Sequence, residues 1–207
     1  MIGKMAATED DLMTRLAGKG SKHGSTWFGK AGDITKKPPV WVGIAAALAM
    51  TGPRGRQAAK RGAVSYVAGA AAHLAVKLIV GRSRPTGASS HASIGPITSS
   101  FPSGHCASEL AFSLGVAQEV PWLIVPLYAA TVAAEWSMVR SRAHYPSDIF
   151  AGAAISVVVA LVAWKLWPPH RLAGQEQDEV SGQLKLPGRK SGSGAPWGQA
   201  LPTSHRG

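Results

Sequence analysis

The chain of 207 residues has a single cysteine, Cys106, which rules out an internal disulfide and reads as a small residue packed on a helix. Aromatic residues are scarce. With 3 Tyr and 4 Phe a base-stacking surface is poorly supplied, and nucleic acid is not an expected partner despite the net charge of +11. Acidic residues number 11 against 22 lysines and arginines, and only 16% of the chain is charged while 45% is hydrophobic. The apolar residues are blocked into long runs with the basic residues between them, which favours a membrane protein. Polar faces are missing from the last three apolar segments, which argues against a soluble bundle. Behind Lys4, Met1 to Ala7 has no apolar run, so no cleavable signal peptide is expected.

What is present falls into three regions. Residues 1–38 are basic. Thr8, Glu9, Asp10 and Asp11 resemble a capping box at the start of a short amphipathic helix that places Leu12 and Leu16 on one face. Lys19, Lys22, Lys30, Lys36 and Lys37 follow, with Trp27 and Phe28 among them, and the region reads either as lying on a membrane surface or as a loose basic tail. Residues 39–167 hold five apolar segments: Pro39 to Thr51, Ala63 to Val80, Gly104 to Val120, Pro121 to Val139 and Asp148 to Trp167. Most approach the roughly 20 residues a bilayer core requires, and the first is short. The expected fold class is therefore all-α, an integral membrane bundle of about five helices. Trp41, Trp122, Trp136, Trp164 and Trp167 fall at segment ends, as an aromatic belt does. From Pro168 the composition turns to Gly, Pro, Ser and charge, which predicts a disordered cytoplasmic tail.

Arg54, Arg56, Lys60 and Arg61 make the Gly52 to Gly62 connection cytoplasmic by the positive-inside rule. Alternation then places Gly81 to Pro102 and Met138 to Ser147 outside. Five spans put the N-terminus outside as well, which its lysines oppose.

The two outside loops gather the ionisable residues. Lys77 sits near the end of an apolar helix, where an intramembrane lysine is expensive. His73 lies one turn earlier and reads as a polar residue packed within the bundle. Arg82, Arg84 and Pro85 follow Lys77; Arg140, Arg142, His144 and Asp148 occupy the second loop. Between them, Ser99 to His105 forms a turn that opens a helix, with Ser103, Gly104 and free N–H groups at its start. Such a set suits a phosphate: cations neutralise its oxygens, one histidine attacks phosphorus, the other protonates the leaving group, and a carboxylate four residues beyond His144 orients that imidazole. A metal held by His105, His144 and Asp148 is the competing reading, disfavoured by the surrounding cations.

Lys77-x6-Arg84-Pro85, Pro102-Ser103-Gly104-His105 and His144-x3-Asp148 resemble, in order, the three signatures of the type 2 phosphatidic acid phosphatase (PAP2) superfamily. Tyr145, Pro146, Ser147 and Gly152 look like the usual continuation of the third. The resemblance implies that His144 is the nucleophile, that Asp148 orients it, and that His105 is general acid and then base. It implies that Lys77, Arg84, Ser103 and the Gly104 amide hold the phosphate, with neither metal nor cofactor. One departure stands out. The third signature usually begins Ser-Arg, and here Ser137 is followed by Met138. Arg142, one turn further on the same face if the helix continues, or else Arg140, is expected to supply the charge. Glu109 and Glu135 read as structurally paired carboxylates, Glu109 with a nearby arginine. The resemblance points to a membrane phosphatase acting on a lipid phosphate or diphosphate at the outer leaflet, with the Thr86 to Ser100 loop selecting the headgroup. A vanadate-dependent haloperoxidase and an inactive lipid-phosphate binder are the alternatives.

Overall fold

The computed structural model describes residues 27–85 and 99–169, together with Thr8, Glu9, Asp11 and Thr14. Leu12, Leu16, the 86–98 part of the headgroup loop and the tail from residue 170 lie outside the described residues. Six helices follow in order: α1 (Trp27–Thr35), α2 (Pro38–Met50), α3 (Pro53–Ile79), α4 (Gly104–Glu119), α5 (Ile124–Arg140) after a short 3₁₀ turn, and α6 (Pro146–Leu166). No strand occurs among the described residues. Helices α2, α3 and α6 each start with proline in the first turn, where the missing N–H costs no hydrogen bond.

The bundle is apolar outside and polar inside. Val67, Leu74 and Leu78 of α3 and Phe150, Val158 and Leu161 of α6 are exposed, while Lys77, Glu109, Gln118, Glu119, Glu135, His144 and Asp148 are buried. Lipid, not water, satisfies such a surface. Three stretches are long and apolar enough to cross a membrane: Pro53–Ile79, Pro121–Arg140 and Pro146–Leu166. Helix α2 is apolar but shorter, at 13 residues. Helix α4 has 16 residues and is buried along nearly its whole length, wedged among α3, α5 and α6. A helix enclosed by others need not match the bilayer thickness. Small residues permit the close packing: Gly69 of α3 abuts the Ala107 backbone, and Gly152 of α6 abuts the Ser103 carbonyl.

Three expectations change. The basic Gly52 to Gly62 connection is not a loop, because α3 begins at Pro53 and carries Arg54, Arg56, Lys60 and Arg61 on its first turns. Arg61 points inward and is fully buried. Its guanidinium reaches Glu119 Oε1 at 3.1 Å and Gln118 Oε1 at 2.7 Å, and stacks 4.5 Å from the Trp167 ring. Trp41 belongs to no belt. It is 2% exposed, meets Phe112 edge-on at 5.4 Å, and joins Ala58, Val116 and Leu127 in the apolar core. Residues 27–35 are not a loose tail, since α1 packs along α5. Gly32 lies against the Ala133 carbonyl, and Asp33 accepts a 2.6 Å hydrogen bond from Ser137 Oγ. Lysine and serine bonds hold the Asp33 carboxyl below the usual carboxylate range, Lys36 first and Ser137 second.

Candidate active site

The turn before α4 is fastened to the segment after α3. Ser99 Oγ donates to the Val80 carbonyl (2.8 Å) and accepts from the Arg82 amide (3.0 Å). Ser100 bonds the Arg82 carbonyl through its amide (2.9 Å) and the Ser83 carbonyl through its hydroxyl (3.0 Å). This zipper holds the segment that carries Arg84 against the turn that opens α4. The Phe101–Pro102 peptide is cis. Across the turn, the Ser103 amide donates to the Asp148 carbonyl (2.9 Å), which ties in the start of α6.

The residues singled out by sequence converge. Lys77 is buried within electrostatic reach of Arg84 and Asp148, His73 within reach of Lys77 and His144, and His105 within reach of His144 and Lys77. Arg84 Nη1 lies 3.3 Å from the Ala143 carbonyl, next to His144. A side chain at Gly104 would strike the His73 imidazole, so His73 is a wall of the site and not merely a packed residue. Among the described residues no group of three His, Cys, Asp or Glu side chains is placed to hold a metal ion.

His144 Nδ1 lies 2.7 Å from the Ser100 carbonyl and 3.8 Å from Asp148 Oδ2. A carbonyl oxygen only accepts, so Nδ1 is the donor in this contact and Nε2 is the ring nitrogen not engaged by it. The orienting bond expected from Asp148 therefore comes from the Ser100 backbone, and Asp148 supplies negative charge from ion-pair distance. Its own carboxylate is fixed elsewhere: Oδ2 accepts from the Tyr145 amide (2.8 Å) and Oδ1 from Arg82 Nη1 (2.8 Å).

Ser103 also departs from expectation. Its hydroxyl caps α4 by accepting from the Cys106 amide (3.3 Å) and donates to Glu135 (3.2 Å), and it is fully buried. In this arrangement it shapes the turn. Glu109 is not paired with an arginine among the described residues; its Oε2 has no hydrogen-bond partner there, and the carboxylate–arginine pair of the core is Glu119 with Arg61.

The arginine extrapolation fails in its premise. Helix α5 stops at Arg140, and Arg142 sits at φ 55° in the left-handed region. The Ala143 amide bonds the Met138 carbonyl (2.9 Å) and the Arg142 amide bonds the Val139 carbonyl (3.0 Å). That pair of bonds is a Schellman stop, whose left-handed residue is ordinarily glycine. Arg142 is thus half-buried in the loop two residues before His144, while Arg140 is exposed and contributes to the field at Asp33.

Sequence reasoning missed the Ser100 carbonyl and Glu9, and it counted Arg82 among the cations without giving it a structural role. Arg82 Nη2 lies 2.6 Å from Glu9 Oε2, and Glu9 Oε1 accepts from the Ser147 amide at 3.2 Å. The proximity of Arg82 to Arg84 was the one available signal for it. A backbone carbonyl and a partner so distant in sequence leave none.

Fold and site together define a helical bundle of membrane type in which histidines and cations gather beside the turn that opens α4. The chain belongs to the PAP2 superfamily, whose profile matches residues 60–171. It is 35% identical over 118 residues to the decaprenylphosphoryl-5-phosphoribose phosphatase of Mycolicibacterium smegmatis, a match that covers 54% of this chain and 62% of the relative. The chain thus spans less than two thirds of that relative's length. No solved structure matches.

Proposed function

We propose that this protein is a membrane phosphatase that hydrolyses a lipid phosphate or diphosphate of the polyprenyl type through a phosphohistidine. The observation that carries the reading is the 2.7 Å contact from His144 Nδ1 to the Ser100 carbonyl, which leaves Nε2 as the nitrogen for attack in a site that also gathers His105, Lys77 and Arg84. Nε2 attacks phosphorus, and the bond from phosphorus to the lipid oxygen breaks as His105 protonates that oxygen. Water then loses a proton to His105, attacks phosphorus and breaks the N–P bond, releasing phosphate. Lys77, Arg84, Arg142 and the Gly104 amide neutralise the developing charge on the phosphoryl oxygens. Asp148 stabilises the charged imidazole. No step draws on a metal or a cofactor.

The apolar outer surface of α3 and α6 keeps a lipid tail in the bilayer while its headgroup enters the pocket. Arg54 bonds the Glu119 carbonyl (3.0 Å) at the end of the bundle away from the site, and with Arg56 and Lys60 it supports a cytoplasmic placement of that end and an outward-facing pocket. The relative's name adds a polyprenyl-phosphoryl sugar phosphate to the candidate substrates.

The test is phosphate release from phosphatidic acid, phosphatidylglycerophosphate, polyprenyl diphosphate and polyprenyl-phosphoryl sugar phosphate, with and without EDTA. Release from a polyprenyl substrate, unaffected by EDTA and abolished in His144→Ala, supports the reading. An acid-labile phosphoprotein trapped during turnover supports the intermediate. Tight lipid-phosphate binding without release refutes hydrolysis and favours a binding protein, for which the missing arginine at Met138 is the argument.

A further inference from the structure

A side chain far outside the matched residues 60–171 reaches Arg82, the arginine that bonds Asp148. Asp148 has both carboxylate oxygens anchored, yet neither anchor is His144, which stands 3.8 Å away. One anchor is the Tyr145 amide, part of the cap of α6. The other is Arg82, and Arg82 is itself held from three sides. Its Nη1 also bonds Ser147 Oγ (2.7 Å), its guanidinium stacks 4.2 Å from the Tyr145 ring, and its Nη2 meets Glu9 Oε2 at 2.6 Å. Glu9 uses its second oxygen on the Ser147 amide (3.2 Å), one of the free N–H groups that open α6. The Arg82 and Glu9 side chains are 15% and 17% exposed, so solvent screens the pair weakly.

From this arrangement we propose that Glu9 and Arg82 are positioning residues, a buttress through which the N-terminal segment fixes Asp148 and so the charge beside His144. The inference rests on the phosphatase reading. An arginine fork has a fixed geometry, so a carboxylate on each Nη nitrogen locks its plane. Without Glu9, Arg82 keeps one carboxylate and gains a choice of orientations, and the first turn of α6 loses an acceptor. Arg82 is accordingly occupied by structure and is not counted among the phosphate ligands. The first turn of α6 carries both Asp148 and the Glu9 contact, so a shift there moves the carboxylate relative to Nδ1 of His144.

The test compares Glu9→Gln, Glu9→Asp and Arg82→Lys with wild type, reading kcat and KM separately on the best polyprenyl substrate, and amide hydrogen exchange at Ser147 to Ile149. Partners that orient a functional histidine typically matter by roughly 10- to 100-fold. Glu9→Gln should lower kcat by about 10-fold with KM within about twofold, and speed exchange in that turn. Glu9→Asp should recover part of the loss. In the Arg82→Lys background Glu9→Gln should cost little more, because the two act as one unit. An unchanged kcat overturns the proposal. So does a fall in KM, which means that Glu9 competes with substrate for Arg82. If wild type releases no phosphate from any substrate, the phosphatase reading falls and exchange decides alone: faster exchange in Glu9→Gln upholds the buttress, and unchanged exchange overturns it.

Discussion

Replacing Arg142 by glycine separates conformational cost from chemical value at one position. Arg142 occupies the left-handed slot of the Schellman stop that ends α5, at φ 55°. An L-residue there costs roughly 1–2 kcal/mol relative to a right-handed conformation, and glycine does not bear that cost. Glycine in turn gives up about 0.5–1 kcal/mol through the extra freedom of the unfolded chain. The balance favours Arg142→Gly by about 0.5–1 kcal/mol, which corresponds to a rise in Tm of roughly 1–4 °C for a chain of this size. The guanidinium has the opposite sign of effect. A charge-assisted hydrogen bond to a phosphoryl oxygen is worth about 1.5–3 kcal/mol. Its loss lowers kcat/KM by roughly 10- to 150-fold.

Thermal unfolding in detergent and phosphate release, measured on the same preparation well below Tm, read the two effects independently. Arg142→Ala is the control: it removes the charge and leaves the strain, so activity should fall as far without the gain in Tm. Arg140→Ala, an exposed change on the far side near Asp33, should leave turnover within about twofold. A stabilised Arg142→Gly protein with wild-type turnover refutes the assignment of Arg142 to the phosphate. A loss of activity confined to Arg140→Ala shows that the wrong arginine has been chosen.

Gly152→Ala should destabilise by about 1–3 kcal/mol, since the new methyl would lie 2.6 Å from the Ser103 carbonyl and 2.9 Å from Cys106 Cβ; a Tm equal to wild type refutes the close approach of α6 to the turn. Arg61→Met alone should cost about 3–5 kcal/mol by stranding the Glu119 carboxylate, and Glu119→Leu added to it should recover most of the loss; equal costs for single and double variants refute the pairing. Asp33 carries a pH signature. Its carboxyl is depressed in the folded state, so its stabilisation is complete above the ordinary carboxylate value of 3.8 and is lost as pH falls through the lower folded value. The group is more than half exposed, so the effect stays below about 1 kcal/mol. Unfolding scans below about pH 5 should show a shallower acid limb in Asp33→Asn, and an unchanged limb refutes the link between α1 and α5.

Much of the bundle is legible because apolar runs and proline starts are local properties: α2, α4 and α6 fall within two residues of their expected bounds, and α5 differs only in that its first three residues form the 3₁₀ turn. The start of α3 is not, because Arg54 to Arg61 resembles a cytoplasmic loop by charge alone. Arg61 becomes helical and buried only by virtue of Glu119, Gln118 and Trp167, which are distant in sequence. Trp41 misleads in the same way, since its place beside Phe112 depends on how α2 packs and not on its position near a segment end. At the site, the spacing of Lys77, Arg84, His105, His144 and Asp148 singles out residues that the fold brings near one another. It does not say which acceptor orients His144, because the Ser100 carbonyl belongs to a residue type with no chemical signal of its own. The argument that put Arg142 on the face of Met138 assumed a continuing helix, and the stop at Arg140 removed it.

The dispositions of Ser103 and Arg82 share one cause. Both looked like groups to be offered to a phosphate, and both are spent on holding other groups in place. Ser103 caps α4 and leans on Glu135, which sets the turn; Arg82 spans Asp148 and Glu9, which sets the carboxylate. A pocket that binds a dianion at the edge of a bilayer gathers several cations in a low-dielectric setting, where their mutual repulsion is costly. Committing Arg82 to two carboxylates removes one cation from that repulsion and converts it into rigidity. On the proposed phosphatase reading the phosphate is met by Lys77, Arg84 and a strained Arg142, together with backbone amides that carry no net charge. If Arg142 offsets the usual arginine missing at Met138, as the proposed reading has it, it does so from a costly backbone conformation, and that cost makes Arg142 the position where stability and activity should move in opposite directions.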